Sequence, residues 1–337
     1  MIKEGKDIYV IAEIGGNHEG DFEKAKSLLE GAISSGADAI KFQIYTGDTL
    51  VNEMVDPDRV KHFNKFALKL EQYLEFSDIC KANNVDFLAS VWSEDLIDIF
   101  KDRMPFYKIG SGDMTAFPII KKIANTKKPI LISTGLSNMD EIEKTVNYIY
   151  QCDAMYKNKG MLGILQCTSM YPIPDSDANL SVINSIKNNF PGVLVGYSDH
   201  TEGIDAVEVA VSLGAKIIEV HFTDDRKGKV FRDHKVSFTS NEIKRFINKS
   251  KKIIEMMGDG YKRPASSEIN SGHVVSFRRG LYPKSDFKKG HAFSEDDFVS
   301  LRPCKGVSAS DVGLLVGKKC QRDLRRLEII DKSDFYP

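Results

Sequence analysis

Ile8-Tyr9-Val10-Ile11-Ala12-Glu13-Ile14-Gly15 is an apolar, β-branched run with one charge near its end. Residues 21–36 follow it, and there Phe22, Ala25, Leu28, Leu29, Ala32 and Ile33 fall on one helical face. The same pairing recurs along the chain. Further strand-like runs occupy residues 39–45, 85–92, 106–110, 129–134, 161–168, 193–197 and 216–222. Helical patterns follow them, among others at 95–103, 140–150, 204–214 and 240–258. The second unit is irregular, because 46–64 is long and polar before a helical pattern resumes. Strands apolar on both faces predict parallel pairing inside a jacket of helices. Eight such units within about 250 residues match a (β/α)8 TIM barrel in an α/β chain. A doubly wound open sheet has the same periodicity, and the count of eight decides against it.

The 337 residues allow a second, smaller domain. Residues 259–272 are rich in Gly, Pro and Ser, and beyond them come short strand-like pieces with turn signals such as 285–290. The expected organisation is a barrel at 1–258, a linker at 259–274 and a small β-rich domain at 275–337, which should lean on the barrel or another subunit. The chain is 42% hydrophobic and 28% charged, which excludes a disordered or fibrous protein. No apolar run is long enough for a membrane span, and Met1–Gly5 lacks a signal-peptide core. Five cysteines without a CxxC pair argue against a disulfide framework or structural zinc and for a cytoplasmic location. The net charge of −1 hides an asymmetry: 15 Lys+Arg stand against 10 Asp+Glu from Lys262 onward, and 32 against 38 before it.

Barrel chemistry sits where strands end and βα loops begin, and here those points are polar in nearly every unit. They carry Glu13 and Gly15-Gly16-Asn17-His18; Lys41 and Gln43; Ser90 and Ser93; Lys108, Ser111 and Asp113; Ser133 and Thr134. The last three carry Gln166, Thr168, Ser169 and Tyr171; Ser198, Asp199 and His200; Glu219 and His221. A charge inside an apolar strand costs several kcal/mol unless paired. One such residue is as well explained by a core ion pair, but polar groups at one end of all eight units predict an active-site mouth. Two lysines with several hydroxyls and glycine turns suit a phosphate or carboxylate-phosphate ligand. His200 and His221 end neighbouring strands, where two imidazoles suit an open divalent site or simply a hydrogen-bonded pair. His18 and His234 read as loop histidines, Lys121-Lys122 and 249–252 as solvated faces, and Met256-Met257 as core packing.

At this point the chain resembles the sialic acid synthases, or more broadly the nonulosonic acid synthases. The motifs are Ala12-Glu13-Ile14-Gly15-Gly16-Asn17-His18, Lys41-Phe42-Gln43, Tyr107-Lys108-Ile109-Gly110-Ser111-Gly112 and Ile132-Ser133-Thr134-Gly135. They continue with Cys167-Thr168-Ser169-Met170-Tyr171-Pro172, Tyr197-Ser198-Asp199-His200-Thr201, Glu219-Val220-His221-Phe222 and Ser300-Leu301-Arg302-Pro303. They occur in family order over nearly the whole chain, and the tail resembles the family's antifreeze-like SAF domain. The resemblance implies a cytosolic transferase that condenses phosphoenolpyruvate with an open-chain N-acyl amino hexose. Its products are a nine-carbon 2-keto acid and phosphate. It implies phosphoenolpyruvate contacts at Lys41, Ser90, Lys108, Ser111, Ser133, Ser169 and Ser198. Sugar contacts are implied at Gln43, Asp113, Tyr171 and Asp233. A divalent cation, commonly Mn2+ with Mg2+ or Co2+ as alternatives, is implied at His200 and His221. Family members are domain-swapped homodimers, which would bring Arg302 to the partner's mouth and the sugar's N-acyl group. Carbon–carbon bond formation leaves a cation-like C2 that water must quench, so a carboxylate is needed there, and Glu13 and Asp113 are the catalytic candidates.

Several positions depart from the family pattern. Asp113 stands where Glu is usual, Val220 replaces a Lys, Val91-Trp92 replaces Pro-Phe or Leu-Phe, and Lys229-Val230-Phe231-Arg232 replaces Pro-Gly-Pro before Asp233. Ser169 fills a position that is Asn in some members. These changes cluster where sugar should sit. Two rival readings are a Schiff-base aldolase using Lys41 or Lys108 and a catalytically silent carbohydrate-binding barrel. No nucleic-acid signature or membrane segment is present.

Overall fold

The structure, a computed structural model, describes Met1 and residues 6–336. It divides into two compact units, Met1–Gly258 and Asp259–Pro337. In the first, eight strands run parallel: β1 Tyr9–Glu13, β2 Ala39–Ile44, β3 Asp86–Val91, β4 Tyr107–Ile109, β5 Ile130–Ser133, β6 Leu162–Cys167, β7 Leu194–Asp199 and β8 Ile217–His221. Hydrogen bonding gives the order β3-β2-β1-β8-β7-β6-β5-β4. The two ends of that order, β3 and β4, pack against each other. The sheet is therefore a nearly closed barrel of the TIM type rather than an open doubly wound sheet.

Helices follow each strand, as the apolar periodicity predicts. Asp21 caps Phe22–Ser34 by accepting from Lys24 N at 2.9 Å, and Asn138 and Glu141 form a reciprocal capping box at the start of Met139–Cys152. Their buried faces and the outward-facing strand residues make one large core. The polar stretch 46–64 is the exception to the sequence reading. It folds into two helices, Gly47–Leu50 and Pro57–Phe66, before Leu70–Ala82. Pro57 at the first helical turn and Asp56 as cap explain the second. Its apolar residues are too few to announce a helix.

Inside the barrel the period of two decides everything. Tyr9, Ile11, Ala39, Leu88, Phe106, Leu131, Leu165 and Ile217 form a separate apolar plug. Two residues further along the same strand faces stand Glu13, Lys41, Ser90, Lys108, Ser133, Cys167 and Glu219. On β7 the plug position is Gly196, because a Cβ there would run into Leu165 Cδ2 and the Ile217 carbonyl. Ser198 stands two residues beyond it. One step of the pleat thus changes a hydrophobic plug into a polar floor.

The second unit has its own apolar core of Leu281, Phe293, Phe298, Val307, Leu315, Cys320, Leu324, Ile330 and Phe335. Strands β9 Gly280–Pro283 and β10 Phe298–Leu301 pair antiparallel, and isolated bridges such as Phe287 to Leu324 complete a β-rich fold. The segment read as a linker carries the exposed helix Ser266–Asn270 and the start of the short helix His273–Ser276. Among the described residues no helix is long and apolar enough to cross a membrane. Met256 and Met257, expected in the core, are 78% and 55% exposed, because they end their helix on its outer face. His18 and His234, expected as loop histidines, are buried.

Candidate active site

The polar floor opens into a cavity of ≈ 1150 Å³, lined by every barrel residue to which the resemblance gives a role, but not by the strand-end residues Asn17, His18, Ser93, Thr134, Gln166, Thr168 and Asp199. Its charges interlock. Lys41 Nζ lies 2.7 Å from Glu13 Oε2 and 3.8 Å from Glu219 Oε2. Lys108 Nζ lies 3.4 Å from Glu219 Oε1 and donates to Ser133 Oγ at 2.7 Å. Ser198 donates to Glu219 at 3.0 Å, and Gln43 donates to Glu13 at 2.9 Å. Lys41 also reaches Ser90 Oγ at 3.4 Å. All four charged groups are buried.

This arrangement separates the two carboxylates. Burial alone would raise Glu219, but Lys108 and Lys41 outweigh it and bring its carboxyl down to about 2. Burial pushes Glu13 up against the pull of Lys41, with Glu219 adding to the rise. Burial works to lower Lys41, yet Glu13 and Glu219 win and hold it raised; burial lowers Lys108. Carboxyls driven apart in this way divide into a fixed anion and a proton-handling group. Burial also raises Asp113, against Lys108.

Around this floor the loops converge. The Gly135 N–H donates to Ser111 Oγ at 3.0 Å, and a Cβ on Gly135 would strike Ser169 Oγ and lie 2.8 Å from Ser111 Oγ. The rings of His200 and His221 lie 5.3 Å apart, and Tyr171 packs on His200 at 4.0 Å. Asp233 Oδ2 is 3.8 Å from His221 Nδ1.

Two observations bear on a metal. His200 Nδ1 donates to the Thr168 carbonyl at 2.6 Å, which leaves the Nε2 lone pair free. His221 Nδ1 is buried without a hydrogen-bond partner. Burial lowers both histidines, and His200 depresses His221 further, so both imidazoles are neutral donors. Among the described residues no group of three or more His, Cys, Asp or Glu is arranged to hold a metal. The pair therefore fits an open site completed by oxygen donors from substrate or water, not a closed structural one.

Arg302 lies in the second unit, its guanidinium 5.6 Å from the Phe277 ring. Three residues had no assigned role in the sequence reading. Glu219, noted there only as a charge in strand 8, bridges both lysines. Cys167 sits on the floor beside the serines, its thiol raised by burial. Arg232 stacks over Tyr171 at 4.7 Å and donates to Asp233 Oδ1 at 3.1 Å; its place beside Asp233 was the available signal.

Comparison with known proteins places both units in known families. The model of the SAF domain matches residues 278–335, and that of the NeuB family matches 28–262. N,N'-diacetyllegionaminic acid synthase of Campylobacter jejuni is 35% identical over 338 residues, covering 96% of this chain and 99% of the relative. N-acetylneuraminate-9-phosphate synthase of Drosophila melanogaster is 35% identical over 249 residues, covering 70% and 65%. The crystal structure of N-acetylneuraminic acid synthetase from Leptospira borgpetersenii superposes with a TM-score of 0.72 at 27% identity, covering 81% and 95%. With one family model spanning most of the barrel and the Campylobacter relative aligned along nearly its whole length, the chain belongs to the NeuB family.

Proposed function

We propose that this protein is a nonulosonic acid synthase, a transferase that joins phosphoenolpyruvate to an open-chain N-acyl amino hexose and releases inorganic phosphate. The observation that carries the reading is the buried floor of two lysines and two carboxylates ringed by hydroxyls, in a chain whose relatives are named as synthases of such acids. Phosphoenolpyruvate brings a phosphate and a carboxylate; Lys41 and Lys108 meet them as point charges, and Ser90, Ser111, Ser133, Ser169 and Ser198 orient their oxygens. Gln43, Tyr171 and Asp233 hold the sugar above.

C3 of phosphoenolpyruvate attacks the sugar aldehyde, the new C–C bond forms, and the aldehyde oxygen takes a proton. Positive charge left at C2 is quenched by water, whose proton passes to a carboxylate, and C–O cleavage then releases phosphate. Glu13 suits the proton transfer, because burial raises its carboxyl while Glu219 stays ionised between the lysines. Asp113 stands on the sugar side. A divalent cation, Mn2+ by family resemblance, would be held by His200 and His221, and when bound it polarises the aldehyde carbonyl. Lys41, held raised by Glu13 and Glu219, stays protonated and is a poor nucleophile, which disfavours a Schiff base at that residue. The reading extends to a cytoplasmic homodimer in which the tail of one subunit brings Arg302 to the other's mouth.

The test is phosphate release by the purified protein with Mn2+, phosphoenolpyruvate and 2-acylamino mannose-type sugars. Release should need both substrates, stop with chelator, and fall at least about 100-fold in His200→Ala and His221→Ala. Release unaffected by chelator would remove the cation from the reading. A borohydride-trapped pyruvate adduct would replace the reading with the aldolase.

A further inference from the structure

Gly16 and Asn17, in the loop after β1, have no part in the proton and phosphate chemistry, yet a buried network starts there and ends on a site residue. The buried Asn17 amide directs both its hydrogens at the chain beyond β8. Its Nδ2 donates to the Phe222 carbonyl at 2.8 Å and to Ser237 Oγ at 2.8 Å. Ser237 Oγ in turn donates to the Asp233 carbonyl at 2.7 Å, so it can only accept from Asn17. Asn17 Oδ1, on the other side, is buried without a hydrogen-bond partner. A flipped amide would set Oδ1 against the Phe222 carbonyl, so the orientation is fixed. A bare buried polar atom costs stability, and such a cost is met where function rather than core packing sets the geometry.

Two further contacts seat the same turn. Gly16 lies beneath Phe231, and a Cβ on it would come within 2.7 Å of Phe231 Cζ. The Thr223 hydroxyl donates to the Asp225 carbonyl at 2.9 Å and therefore accepts from His234 Nδ1 at 2.8 Å. Asp233 belongs to the short 3₁₀ turn Arg232–Val236. Phe231 before that turn, His234 within it and Ser237 after it are thus each held from outside it. Asp233 Oδ1 accepts from Arg232 at 3.1 Å, and Oδ2 lies 3.8 Å from His221 Nδ1. A small movement of this backbone would re-aim both oxygens in the cavity.

We propose that Asn17 and Ser237 are positioning residues that seat the turn Arg232–Val236 on the β1 loop and so hold Asp233 in its working orientation. The inference rests on the synthase reading, in which Asp233 holds the sugar, and it names what holds Asp233. Neither residue touches a reactant; both act through the Asp233 backbone.

The experiment is a double-mutant cycle on phosphate release by the full-length protein with Mn2+, phosphoenolpyruvate and an amino sugar. The sugar is N-acetylmannosamine or 2,4-diacetamido-2,4,6-trideoxymannose, whichever the wild type uses faster. Ser237→Ala should lower kcat/KM for the sugar about tenfold while changing KM for phosphoenolpyruvate less than about twofold. In an Asp233→Ala background the same substitution should cost less than about twofold, because the group through which it acts is gone. Gly16→Ala, which lifts Phe231 without removing a hydrogen bond, should show the same pattern and serves where Ser237→Ala folds poorly. Where turnover in the Asp233→Ala background is too slow to follow, sugar binding is read from the fluorescence of Trp92, the single tryptophan of the chain, which lines the cavity. Three results overturn the inference and leave the synthase reading standing: an unimpaired Ser237→Ala enzyme, a loss shared equally by phosphoenolpyruvate, or the full loss repeated in the Asp233→Ala background. Unchanged sugar kcat/KM in Asp233→Ala itself overturns it too. No phosphate release by the wild type with either sugar overturns the synthase reading, and this inference with it.

Discussion

At the scale of single residues, environment decides what identical groups do. Glu13 and Glu219 are both buried carboxylates within reach of Lys41, yet only Glu219 also meets Lys108 and Ser198. That difference holds one ionised and lets the other handle a proton. His18 shows the same principle away from the floor. Burial, aided by Lys24, lowers its imidazole to about 4 from the ordinary 6.5. The fold therefore favours the neutral ring, and as pH falls the unfolded chain takes up its proton first. This contribution to stability is intact above pH 6.5, declines through the interval and levels off below about 4. Between pH 7 and 4 the native protein should lose about 3 kcal/mol more than His18→Gln in urea melts. Parallel losses in both proteins would show that His18 is not the sensing group.

At the scale of elements, the two-residue period of the strands separates stability from chemistry. Gly196 belongs to the plug layer, and Gly135 belongs to the loop that brings Ser111 and Ser169 together. Gly196→Ala should cost about 3 kcal/mol in chemical denaturation, because overpacking presses on the β8 backbone as well as on Leu165. Gly135→Ala should lower kcat/KM at least about tenfold while changing stability by less than about 1 kcal/mol, because the displaced hydroxyls lie at the mouth. Equal stability losses in the two variants would contradict the layered arrangement. The helix Pro57–Phe66 was not legible as an element. Val60, Phe63 and Phe66 give it only a thin apolar stripe, and its reason for existing is the cavity wall it builds rather than the core.

At the scale of the whole molecule, the charge asymmetry gains a structural setting. The basic tail has its own apolar core, so its excess of Lys and Arg is not needed to hold it together and is free to act between molecules. In the homodimer proposed above, docking of this tail on the acidic barrel should weaken with salt. Sedimentation velocity should show the dimer dissociating at lower protein concentration in 50 mM NaCl than in 1 M NaCl. The expected result is thus a dissociation constant that rises with salt, and a constant independent of salt would point to apolar docking.

The eight apolar runs, the helices after them and the polar residue at each strand end could all be read along the chain, because strand and helix periods are local properties. So could the candidates from Glu13 to His221, since βα loops of a parallel barrel bring strand ends together whatever the loops contain. Long-range neighbours could not be read. That Glu219 lies between Lys41 and Lys108 depends on barrel closure and on strand register. That Trp92, Phe63 and Phe231 line the same cavity depends on three separate loops. Sequence by itself determined the layers of this barrel and the kinds of group at its mouth. Tertiary structure alone decided which charges pair and which rings face the cavity, because burial and distance set electrostatic and apolar energies, and neither is a property of neighbours in the chain.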